Sequence, residues 1–211
     1  MLALVPGIEW KREVVRDVYQ STVELFGLPR AVESDGAVEL WEPVENLGNS
    51  RKKPLVIRDP KHFMANQLEA LLTHDPDYQE FCQKLSWARS ALPQTELAHF
   101  IPPGFKAKAR FMNLASTLNW AAAMLWHLEH PESRSRQGIT ESRMQEKMGW
   151  LRSFTESIQK WRECQEVISV ALTFINKQGI FRGASRTFQK LVAEIPHDPM
   201  SRKLVSDTAE F

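Results

Sequence analysis

At 211 residues and 43% hydrophobic content, the chain has material for one sizeable core with a small appendage. Its formal charge of +1 supplies no global field of the kind that marks a nucleic-acid or membrane-surface protein, so anion binding must come from local patches. Two cysteines far apart, Cys82 and Cys164, read as reduced thiols, and no run nears the roughly 20 apolar residues that span a bilayer, which excludes a membrane protein and points to the cytoplasm.

Leu2 to Val5 reads as a strand cut short by Pro6-Gly7, too short and too poor in basic residues for a signal peptide. Lys11 to Phe26 carries Val15, Val18, Tyr19, Thr22, Val23 and Phe26 at helical spacing, with Gly27 as the stop. After Pro29 comes Ala31-Val32-Glu33-Ser34-Asp35-Gly36, a short strand ending in an acid. Glu42 to Lys53 is a polar linker with room for one short helix at most, and it ends in the basic run Arg51-Lys52-Lys53. Pro54 to Asp59 repeats the strand-then-Asp pattern.

From there the pattern is helical. Pro60 to Leu72 turns Met64, Leu68, Leu71 and Leu72 to one face, and Asp75-Pro76 opens a helix with Tyr78, Phe81, Cys82, Leu85 and Ala88 inward. Pro93 and Pro102-Pro103-Gly104 interrupt it. Phe111 to Leu128 forms another stripe. Thr140 caps a long segment through Ile175 to Gly179, with Gly149 or the polar break near Gln165 as the place for a bend. A short helix surrounds Phe188 and Leu191, and Pro196 onward has the composition of a loose tail. The division is 1–75 as an α/β segment, 76–195 as a helical region and 196–211 as the tail, an α+β chain that is predominantly helical.

Asp35 has two readings: an Asp-Gly turn, or a ligand for a hard divalent cation such as Mg²⁺. Asp59 likewise either caps the helix that Pro60 opens or joins the same metal set, with His62 one turn on. Glu96, between prolines, is a solvated carboxylate or a catalytic one. Lys106, Lys108 and Arg110 alternate with small residues as a strip able to contact phosphates. The tryptophans at 87, 120, 126, 150 and 161 fall mostly at helical spacing and read as core rather than as a base-stacking series.

The order of these segments resembles an insertion-sequence transposase of the DDE type with an RNase H-like catalytic domain. The likeness rests on Val5-Pro6-Gly7 before a helix, on the run from Phe26 to Ala37 with its Ser34-Asp35-Gly36, and on Arg58 to Asn66. Thr95 to Asn113, with Pro102-Pro103 and Lys108-Ala109-Arg110-Phe111-Met112-Asn113, extends it. The resemblance implies transposition and recombination of DNA, with Asp35 as the second catalytic carboxylate and Glu96, Glu141 or Glu146 as the closing glutamate. It also implies DNA as partner, homo-oligomers, and two Mg²⁺ ions about 3.5–4 Å apart. The family's first catalytic Asp lies on a strand upstream of Leu2–Val5, and no residue of this chain takes that role, since Asp17 falls on the amphipathic helix. The expectation is therefore an N-terminally truncated transposase, catalytically incomplete alone. The rivals are a non-enzymatic helical interaction protein and a DNA-binding regulator.

Overall fold

The computed structural model describes residues 11–34, 37–48, 52–104, 111–133, 138–181, 183–195 and 198–209. The expected strand at Leu2–Val5 and the residues Asp35, Arg51, Lys106, Lys108 and Arg110 lie outside them. The chain separates into two compact units, Met1–Phe63 and Met64–Phe211.

In the first unit, α1 (Arg12–Phe26) is followed by β1 (Ala31–Ser34), α2 (Val38–Glu45) and β2 (Leu55–Arg58). β1 and β2 pair in parallel, Ala31 opposite Leu55 and Ser34 opposite Arg58. A parallel pair needs a crossover, and α2 supplies it, packing on α1 and against both strands. The crossover begins inside the apolar stretch before the expected linker and continues through Pro43. Its two turns are short enough to absorb the one donor that proline removes. Among the described residues of this unit the core is thin: Val15, Pro43, Val44, Leu47 and Pro54 are buried, whereas Leu55 at the start of β2 is 63% exposed. The strands are therefore partly solvated, not interior segments.

The second unit is helical: most of α3 (Pro60–Leu72), then α4 (Pro76–Ala91), α5 (Leu114–Glu129), α6 (Glu141–Met148), α7 (Thr155–Gln178), α8 (Ala184–Val192) and α9 (Pro199–Ala209). Its centre is aromatic. Phe81 meets Trp161 at 5.2 Å and Phe154 at 5.7 Å between ring centres, and Tyr78 meets Trp161 edge-on at 5.3 Å. The long segment after Thr140 bends at Gly149, where a 3-10 stretch Gly149–Phe154 separates α6 from α7, and it runs unbroken through Gln165. The tail expected from Pro196 instead carries α9. Ser201, Leu204 and Thr208 are buried at three- and four-residue spacings against α7 and α8, a helical stripe too short and too polar to register in composition. Taken together, the described residues form a predominantly helical α+β chain with one two-stranded parallel sheet.

Candidate functional site

β2 hands directly into α3 through Asp59. The Asp59 backbone N–H donates to the Ser34 carbonyl at 2.6 Å, so the residue after β2 is tied to the last residue of β1. Its carboxylate caps α3: Oδ1 accepts from the Lys61 N–H at 2.8 Å and, more loosely, the His62 N–H at 3.4 Å. Oδ2 lies 2.6 Å from His62 Nδ1. Partial burial works against the ionised carboxyl, but the His62 ring and the two backbone donors outweigh it and hold Asp59 below the usual carboxylate range. Of the two roles weighed for Asp59, the cap is the one whose contacts are in place.

The second cluster lies in the helical unit. Thr95 Oγ1 donates to the Leu92 carbonyl and accepts from the Leu97 N–H, shaping the turn that presents Glu96. Arg143, in the first turn of α6 where Thr140 caps it, donates from Nε to Glu96 Oε1 at 2.6 Å and from Nη1 to Glu146 Oε2 at 2.7 Å. Lys147 Nζ reaches Glu146 Oε1 at 2.9 Å. Glu96 is held below its ordinary range by its own backbone N–H and then by Arg143; Glu146 is lowered by Lys147 and Arg143. Two of the three candidate closing glutamates are thus brought together by one guanidinium. Glu141 stays exposed in the same helical turn. The Glu96–Arg143 pair spans 47 residues, and no local pattern announces it.

The donor chemistry can be weighed against the implied Mg²⁺. Carboxylate oxygens suit the ion, but both oxygens of Asp59 already accept protein hydrogen bonds. Among the described residues, no group of three or more His, Cys, Asp or Glu side chains is placed to hold a metal. These residues alone do not build the expected set. Cys164 adds no ready nucleophile: it is fully buried, and burial first, then Asp198 and Glu163, pushes it up to about 12. No helix among the described residues is long and apolar enough to cross a membrane. Comparison with protein-family models, with curated proteins and with solved structures gives no match.

Proposed function

We propose that the protein is transposase-derived, a DNA-binding relative by descent of DDE enzymes with an RNase H-like catalytic domain. The observation that carries this reading is the parallel register of β1 and β2, whose last residues, Ser34 and Arg58, pair directly. An acid follows each strand in the sequence, Asp35 and Asp59. Ligands of open α/β sheets gather at the carboxyl ends of parallel strands, so two acids following paired strand ends suit a phosphoryl-transfer ancestry. Two-metal chemistry enters as ancestry only. Asp59 is committed to α3 and His62, and Glu96 to Arg143, so we propose the chain is catalytically incomplete as it stands. Lys106, Lys108 and Arg110 are the proposed phosphate contacts. A second reading, a non-enzymatic helical interaction protein, draws on the closed Tyr78–Phe81–Trp161 core, which commits those rings to packing.

The test is anisotropy of a labelled duplex across a salt series, with and without Mn²⁺, for the full chain and for Asp35→Asn. Expected are binding that weakens steeply with salt, a Mn²⁺ enhancement that Asp35→Asn abolishes, and no nicking of supercoiled plasmid. A salt-independent response, with identical Mn²⁺ behaviour in Asp35→Asn, would remove the basis for this reading.

A further inference from the structure

On the helical unit, α5 and α7 pack against each other and leave a groove along their shared face. One stretch, of about 650 Å³, has an apolar floor of Ala122, Leu125 and Trp126 from α5 and Ile158 from α7. It continues, past Gln159, Arg162 and Glu163, into a second stretch of about 450 Å³ that reaches Ala115 and Leu118. Between residues 115 and 129, α5 rises about 21 Å, the length of a helix of about four turns.

The rim selects the occupant. Glu129, Glu156, Glu163 and Asp198 line the first stretch and Glu166 the second, against the two cations Lys160 and Arg162. None of these acids is ion-paired to a described residue. Asp198 accepts from the Ser201 N–H, and Glu163 receives the Gln159 amide only at 3.4 Å. Gln165, which lines the second stretch, has its Oε1 buried with no hydrogen-bond partner among the described residues. Trp126, which lines the first stretch, is 49% exposed, and its indole stacks on His130 at 4.5 Å. An apolar floor with an acceptor-rich rim repels phosphate and favours cationic donors.

We propose that this groove docks a basic amphipathic helix of a partner protein. Its apolar stripe lies on Leu125 and Trp126, and its flanking Lys or Arg side chains meet the acidic rim. This surface is independent of the transposase reading, because it uses none of the strand-end acids.

Anisotropy of a labelled leucine–lysine amphipathic peptide of about four helical turns, titrated with the full chain, tests it; the matching leucine–glutamate peptide is the counterpart. Expected is salt-sensitive binding of the lysine peptide alone. The pair Glu156→Lys and Glu163→Lys weakens it by about tenfold or more, as does Trp126→Ala. Glu80→Lys, on the exposed side of α4, leaves it within about twofold. Circular dichroism of each variant reads the fold separately. Equal affinity for both peptides overturns the proposal, and so does an equal loss in Glu80→Lys. Loss of duplex-DNA binding in Trp126→Ala with peptide binding unchanged also overturns it and assigns the groove to nucleic acid.

Discussion

Gly48 is the residue on which the crossover of the first unit turns. It holds φ +84°, and a Cβ there would sit 2.2 Å from the Lys52 carbonyl oxygen and 3.1 Å from Leu28 Cδ2. The first contact is with backbone and has no side-chain rotation to relieve it. Gly48→Ala therefore meets both the left-handed cost of about 1–2 kcal/mol and a clash, and is expected to lose about 2 kcal/mol or more in denaturant unfolding. Gly183, at φ +94° with open space around its missing Cβ, separates the two terms. Gly183→Ala is expected to lose only the conformational part, about 1–2 kcal/mol. Equal losses at the two sites would show that the clash at Gly48 relaxes freely. At this scale the sequence is an uneven guide. Asp59 before Pro60 is readable as a cap because the capping bonds reach only two and three residues ahead. The grip of Arg143 on Glu96 is not readable, because it depends on where α6 lands relative to the turn after α4.

At the scale of elements, the junction of α4 with α7 shows how one acid serves two helices. Asp75 Oδ1 caps α4 by accepting from the Asp77 and Tyr78 N–H groups, while Oδ2 accepts from Trp161 Nε1 at 2.9 Å. Asp77 Oδ2 in turn accepts the Ser157 hydroxyl in the first turn of α7. Trp161 is buried, so losing its acceptor leaves an indole N–H with no water to replace it. Asp75→Ala is expected to cost about 1 kcal/mol for the cap and about 1–3 kcal/mol for the orphaned donor. In a Trp161→Phe background only the cap remains to be lost, so the same substitution should cost about 1 kcal/mol. Additive losses in that double-mutant cycle would mean the indole bond contributes nothing. The start of α4 is legible because Asp-Pro is a local signal, and Tyr78, Phe81, Leu85 and Ala88 keep its inward spacing. The use of the second oxygen is not, since its partner stands 86 residues away. The same contrast explains α9, whose Leu204 and Thr208 are inward only because α7 and α8 lie against them.

At the scale of the molecule, the two units differ in how much they hide from water. The helical unit encloses Tyr78, Phe81, Phe154 and Trp161 with the aliphatic faces of α5 and α7 around them. Among its described residues the first unit buries Val15, Pro43, Val44, Leu47 and Pro54, and it leaves Leu25, Phe26 and Leu55 more than 60% exposed. A two-stranded sheet is marginal without packing, and here α2 lies against both strands while α1 packs on α2. The free energy of local opening rises with the apolar surface that opening uncovers, so protection against amide exchange should divide along the same line. Amides of β1 and β2 are expected to exchange in minutes, and those of mid-α7, from Ile158 to Ala171, to be protected far longer, with mass spectrometry of peptic fragments as the readout. The parallel ladder does not rescue the strands, because four residues on each side give few bonds and each strand keeps an outer edge free of any described strand. Protection of Ala31–Ser34 matching that of α7 would mean the sheet is covered in solution by a surface beyond its own helices.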